Sequence, residues 1–162
     1  MTGKIYLKND KFLIRSAKLD DAVAIRKMVF RTFVEYGIAA DPDEDDRDIM
    51  SFGQPKDNVV EMVTVFGDLP VGSAILTSNG DSRVKLTKLY LDRNFRGFGA
   101  GRAMLDTAVA TAKSMGYDEI FLKTRALYKE AVELYESTGW ARGADQPGPG
   151  PDRMYYIIFP KS

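Results

Sequence analysis

The sequence predicts an α/β (α+β) fold, a mixed and mostly antiparallel central sheet of about seven strands with about four helices packed on it. Three observations carry this. Residues 58–66, 71–77 and 83–91 are β-branched or alternating segments separated only by tight turns, the pattern of antiparallel hairpins. An alanine-rich stretch from Ala100 onward then puts Met104, Leu105, Ala108, Val109, Ala112 and Met115 on one helical face, ended by Gly116. A further β-rich run at 118–124 follows at once, so the strands flanking this helix are expected to be parallel and joined by a right-handed crossover.

The other elements fall into place around these. Residues 12–16 read as a short strand, and 4–8 as either an extra strand or an ordered arm. Asp20 and Asp21 are candidate N-caps for a helix whose apolar positions are Ala22, Ile25, Val29 and Phe33 and which ends near Gly37. Residues 41–48 hold six acids and one base. They read as a solvated turn with an acid-rich helix start or, alternatively, as an acidic lip that attracts a cation. Downstream, 129–137 is a helix with Ala131, Leu134 and Tyr135 inward, 140–144 begins a strand, 146–151 is too rich in Pro and Gly for regular structure, and 154–159 closes the sheet.

The strand at 83–91 carries an irregularity. Val84 and Leu86 keep period two, but the next apolar residues, Leu89 and Leu91, are one position out of phase. One extra residue near Thr87 and Lys88 restores the pattern, which predicts a β-bulge and backbone groups near Leu89 to Leu91 that pair with something other than a strand.

Composition narrows the chemistry. The 162 residues, 44% of them hydrophobic, suit one domain spanning 1–162 with its core at about 12–159. Lys plus Arg and Asp plus Glu are each 23, so no global field favours a nucleic acid or membrane partner. No run approaches the roughly 18 apolar residues of a membrane span and no signal-peptide core is visible, so a soluble, cytoplasmic protein is expected. The absence of Cys and His removes thiolate nucleophiles, imidazole bases and most metal sites. Carboxylates, Tyr, Lys, Ser, Thr, backbone and water remain.

Directly after the bulged strand, Gly97, Gly99 and Gly101 alternate at the start of the helix. Glycines admit close approach and positive φ, and a helix N-terminus offers unpaired N–H groups with a positive dipole end, so this is a phosphate site in outline. A dinucleotide fingerprint would need a third glycine where Arg102 stands, and a Walker A loop would need Gly-Lys-Ser/Thr. Neither fits.

Residues 96–101, Arg-Gly-Phe-Gly-Ala-Gly, resemble the R/Q-x-x-G-x-G/A signature of the GCN5-related N-acetyltransferase superfamily. Residues 131–140, beginning Ala131 and including Leu134, Tyr135, Glu136 and Gly139, are similar to its A-x-x-L-Y-E-x-x-G-F segment, and residues 12–22 look like its usual opening. The resemblance implies an acetyl-CoA cosubstrate in a V-shaped split between the fourth and fifth strands. It assigns backbone contacts with the pyrophosphate to Arg96, Gly97, Phe98, Gly99, Ala100, Gly101 and Arg102, and strand-like pairing with the pantetheine to Leu89, Tyr90 and Leu91. Side chains of Arg93, Arg96, Arg102 and Lys129 are candidates for an outlying phosphate. Tyr128 stands where many relatives carry Asn, which alters one cofactor contact.

By the same resemblance, Tyr135 is the general acid that protonates the leaving thiolate. Many relatives place a Glu on the fourth strand as base, but 84–91 has no acid. Glu61 is the substitute taken here, with Glu35, an acid of the 41–48 run and a water relay as alternatives. Without Cys, direct transfer in a ternary complex to a small primary amine or amino-acid-like acceptor is the economical mechanism. The competing reading is a non-catalytic acyl-CoA-binding or sensing domain. Homodimers are frequent among such proteins, though no residue here marks an interface.

Overall fold

The computed structural model describes residues 3–161. Its eight strands are β1 (Ile5–Lys8), β2 (Leu13–Ser16), β3 (Val59–Phe66), β4 (Leu69–Ser78), β5 (Arg83–Leu91), β6 (Glu119–Thr124), β7 (Ala141–Arg142) and β8 (Arg153–Ile158). The helices are α1 (Ala22–Glu35), the single turn α2 (Arg47–Met50), α3 (Ala100–Ser114) and α4 (Lys129–Ser137). All strands join one sheet in the order β1-β2-β3-β4-β5-β6-β8-β7. Every neighbouring pair is antiparallel except β5 and β6. The strand beyond the expected seven is β1, which hydrogen-bonds along β2 rather than lying as an arm.

Alternation along the strands divides the core between two faces. Met62, Ala74, Leu76, Val84, Leu86, Ile120 and Leu122 pack with Met104, Leu105 and Ala108 of α3 and with Tyr135 of α4. Val63, Val65 and Ile75 pack instead with Ile25, Val29 and Phe33 of α1 and with Ile49 and Phe52. Because both faces are covered, β4 is buried over most of its length. Among the described residues no helix is long and apolar enough to cross a membrane.

Several local expectations are corrected. Asp21 does not cap α1; a 3₁₀ turn (Leu19–Asp21) precedes the helix, and the Asp21 carboxylate accepts from the Lys18 N–H (2.7 Å) and from the Arg15 guanidinium (2.8 and 3.0 Å). Met115 is exposed, because α3 ends one residue earlier and Gly116 (φ 87°) turns the chain away. The strand expected over 140–144 shrinks to β7, with Trp140 sunk beside Tyr135.

The bulge is present and has an unexpected clamp. Ser73 faces Tyr90 and Ile75 faces Thr87, so two steps along β4 are matched by three along β5. Lys88 absorbs the extra residue with φ 53°, a left-handed conformation that costs a non-glycine residue about 1 kcal/mol or more. Its carbonyl accepts from the Ser73 hydroxyl (2.7 Å), and its ammonium reaches Asp46 (3.1 Å), Asp48 (2.9 Å) and the Asp45 carbonyl (3.2 Å). Thr87 also donates to Asp48 (2.7 Å). Residues 41–46 do form a turn ahead of a helix, yet Asp46 and Asp48 neither stay in solvent nor form a free acidic lip, since they neutralise a buried lysine.

Two outcomes follow from these ion pairs. Lys88→Met removes the partner of two sequestered carboxylates and should lower unfolding free energy by about 3 kcal/mol in urea titrations. For Asp21, burial pushes the carboxyl pKa up, but Arg15 and the Lys18 N–H outweigh it and hold the value below the usual range. A depressed folded-state pKa adds stability above the unfolded value of about 3.9 and loses it as pH falls through the folded one. Asp21→Asn should therefore flatten the decline in stability seen on acidification below about pH 4.

Candidate active site

The parallel pair β5 and β6 is bonded only at Arg83 with Glu119, Val84 with Ile120 and Lys85 with Phe121. Beyond that the strands part, and the bulge at Lys88 bends β5 away from its former neighbour. A cavity of about 350 Å³ fills the gap, bounded by Leu86 to Leu91, the end of β6, the start of α3 and the inner face of α4. Leu89, Tyr90 and Leu91 thus border open space where β6 would otherwise be.

At one end of the cavity lies the glycine loop. Asp92 accepts from the Asn94 N–H (2.9 Å) and opens a 3₁₀ turn (Arg93–Phe95) that redirects the chain. Gly97 and Gly99 follow with φ of 91° and 84°. The Ala103 N–H to Gly99 carbonyl bond (3.1 Å) is the first of α3, so the amides before it start the helix without intrahelical partners. Gly101 has ordinary helical backbone, and a Cβ built on it meets no protein atom. In a helix such a glycine costs about 1 kcal/mol relative to alanine. Neither backbone nor packing asks for it, which leaves room for a ligand as its physical use.

The loop's side chains have other tasks. Arg96 donates to the Leu91 carbonyl (3.0 Å) and forks onto Glu35 (2.9 and 3.3 Å), fastening the loop to β5 and α1. Phe98 turns its half-exposed ring toward Phe66 (5.9 Å) with the Lys11 ammonium over it (5.9 Å), and it lies outside the cavity lining. Ala100 is buried. Arg102 lines the cavity and pairs loosely with Asp106 (3.4 Å), whereas Arg93 and Lys129 lie outside the lining.

Aromatic residues make the far wall. The Tyr90 and Tyr128 hydroxyls are 3.4 Å apart, and Tyr36 sets its ring edge-on to Tyr128 at 4.7 Å. Burial raises the pKa of Tyr90 well above 10, and that of Tyr128 less. Tyr135 also lines the cavity, its ring packed against Trp140 (5.7 Å) and Tyr155 (5.5 Å), and burial pushes its phenol strongly upward. Its hydroxyl is therefore protonated near neutral pH.

Glu61 is not brought to this place. Its carboxylate accepts from the Gly53 N–H (3.0 Å) and pairs with Lys56 (2.6 Å) outside the cavity lining, so Glu61, expected as the base, is not brought together with Tyr135 and the glycine loop. Glu35 is likewise held, by Arg96. Sequence reading missed Tyr36, Lys123 and Arg125, which line the cavity. The last two were findable, since the residues ending a strand beside a split must border it; nothing in the pattern marked Tyr36.

Residues 23–140 match the family model described as the Acetyltransferase (GNAT) family. That is well over half of the chain. The chain belongs to this family of acetyltransferases. An uncharacterised N-acetyltransferase of Escherichia coli, YjgM, is 29% identical across 79% of this chain and 81% of its own. Human N-acetyltransferase 8 is 32% identical over 89 residues, 55% of this chain but 37% of that protein. In fold, an acetyltransferase from Streptococcus agalactiae superposes with a TM-score of 0.80 at 19% identity, over 93% of this chain and 100% of that one. The PaiA N-acetyltransferase of Thermoplasma acidophilum, solved with coenzyme A, gives 0.73 at 16% identity over 91% and 99%.

For this acetyltransferase, Gly99 offers a clean test of the loop. A Cβ there meets no protein atom, so Gly99→Ala should cost only the left-handed backbone penalty of about 1 kcal/mol in thermal or urea unfolding. A larger loss would mean that the turn is packed more tightly than its geometry implies.

Proposed function

We propose that this acetyltransferase moves the acetyl group of acetyl-CoA directly onto the primary amine of a small molecule, with both substrates bound together. The observation that carries the reading is the single cavity in which the unpaired edge of β5, the glycine loop and Tyr135 meet. The residues present fit acetyl-CoA. Gly97 and Gly99 turn backbone amides toward the start of α3, Gly101 removes the side chain that would crowd a phosphate, and Leu89 to Leu91 offer strand groups to a pantetheine amide.

Acetyl-CoA supplies an activated thioester, and the chain has three tasks around it. A backbone N–H at Leu89 or Tyr90, beside the bulge, donates in this reading to the carbonyl oxygen as negative charge builds there. The neutral amine nitrogen forms the C–N bond as the C–S bond breaks. The departing sulfur takes the Tyr135 hydroxyl proton, the surplus amine proton passes to water, and the phenol is reprotonated from solvent. Desolvation that raises the Tyr135 pKa also raises that of a thiolate formed beside it, so the proton gap between them is narrower than free values imply. Asp46, Asp48, Glu35 and Glu61 are tied to cations, so water takes the proton, and Glu130, which lines the cavity with no salt-bridge partner among the described residues, can relay it onward.

Tyr135→Phe keeps the ring packing and removes only the hydroxyl. Turnover should fall by about a hundredfold, measured by thiol release, while acetyl-CoA affinity measured by calorimetry holds. Unchanged turnover would remove Tyr135 from the chemistry.

A further inference from the structure

The closed end of the cleft carries cations that, among the described residues, have no salt-bridge partner. Val84 and Leu86 of β5 and Ile120 and Leu122 of β6 point into the α3 side of the core. Lys85, Thr87, Phe121 and Lys123 therefore occupy the opposite face, where Thr87 meets Asp48 of α2. Lys85 belongs to the last bonded pair of the two strands, and Lys123 lies just past the point where they separate. Lys123 and, two residues on, Arg125 line the cavity; half-buried Lys85 is outside the lining but directly precedes Leu86 and Thr87, which are part of it.

Of the acids on this side, Asp46 and Asp48 are already paired with Lys88, and Asp45 gives it only its backbone carbonyl. Among the described residues Lys85, Lys123 and Arg125 have no carboxylate partner, and Arg125 donates only to the Pro149 and Gly150 carbonyls (3.3 and 3.5 Å). Burial lowers the Lys85 pKa first, with repulsion from Lys123 and Lys88 adding to it against weaker attraction from Asp48 and Asp45. These cations do not serve the glycine loop. From Lys85 to Leu91 the strand runs roughly 20 Å, so they lie at the opposite end of the cavity from Gly97.

Taking the cavity as the acyl-transfer site, we infer that the acceptor carries an anionic group a few bonds from its amine, a carboxylate or its phosphonate equivalent, and that this group docks on Lys123 where the strands separate, with neighbouring Lys85 adding positive charge. Arg125 on the rim is a third donor. A polyamine would meet like charge there. An acceptor of the amino-acid kind would neutralise the lysines with one end and present its nitrogen to the cleft with the other.

The test is thiol release from acetyl-CoA with matched acceptors: an amino acid, its carboxamide, the corresponding aminoalkylphosphonate, and a diamine. The anionic members should exceed the carboxamide in kcat/KM by about tenfold or more, with the diamine lowest. Carboxylate and phosphonate arms tell which anion fits better. Lys123→Gln, at an exposed position, and Lys85→Gln should each raise KM for the preferred anionic acceptor by about tenfold and shrink its lead over the carboxamide. Equal use of acid and carboxamide, preference for the diamine, or an unaltered KM in Lys123→Gln would overturn the inference while leaving acyl transfer intact. Calorimetry separates the deeper failure: no acetyl-CoA binding, or binding with no release for any amine, overturns the acyl-transfer reading and the inference with it.

Discussion

The structure depends on the neutralised lysine in the middle of β5. Lys88 holds a backbone conformation that its side chain resists, and three interactions from distant parts of the chain keep it there: the Ser73 hydroxyl on its carbonyl and the Asp46 and Asp48 carboxylates on its ammonium. Without the extra residue, β5 would continue in register beside β6 and the cavity would be sheet. With it, the strand leaves its neighbour after three bonded positions, and Leu89 to Leu91 acquire an open side. The cavity, the aromatic wall and the orientation of the glycine loop all lie downstream of that one kink.

Arg96 has a complementary part. By joining the Leu91 carbonyl to Glu35, it fixes the end of the bent strand against α1 and so sets where the loop begins. An arginine in a signature next to glycines invites a phosphate-binding reading, yet here its charge is spent within the protein. The loop's appeal to an anion rests on amides at the start of α3 and on space at Gly101. This division suits a chain with neither Cys nor His. In the proposed reaction the chemistry falls to backbone donors, one desolvated phenol and a pair of lysines, none of which changes charge near neutral pH by its ordinary behaviour.

What could be read from the sequence was local and periodic. The phase slip between Leu86 and Leu89 located the bulge, since a strand with two buried faces tolerates no other repair. Alternation and helical stripes gave the sheet, its parallel pair and the helices, and the alternating glycines gave the loop. What could not be read was pairing across long separations. Nothing near Asp46 or Asp48 announces a lysine some forty positions away, so the acidic run looked solvated. Tyr36 became part of the wall because α1 ends over Tyr128, a matter of helix placement rather than pattern.

The split between β5 and β6 also bears on how the chain avoids its own kind. An open strand edge is a template on which another polypeptide can grow, and folds usually blunt such edges at the sheet's periphery. Here the outer strands are short, four residues in β1 and two in β7, while the long exposed edge sits inside the sheet between two helix-covered faces. A narrow, non-polymeric guest can reach it, but an incoming strand with its side chains cannot. Enclosure therefore lets the fold keep unsatisfied backbone for a ligand without offering a seed for aggregation.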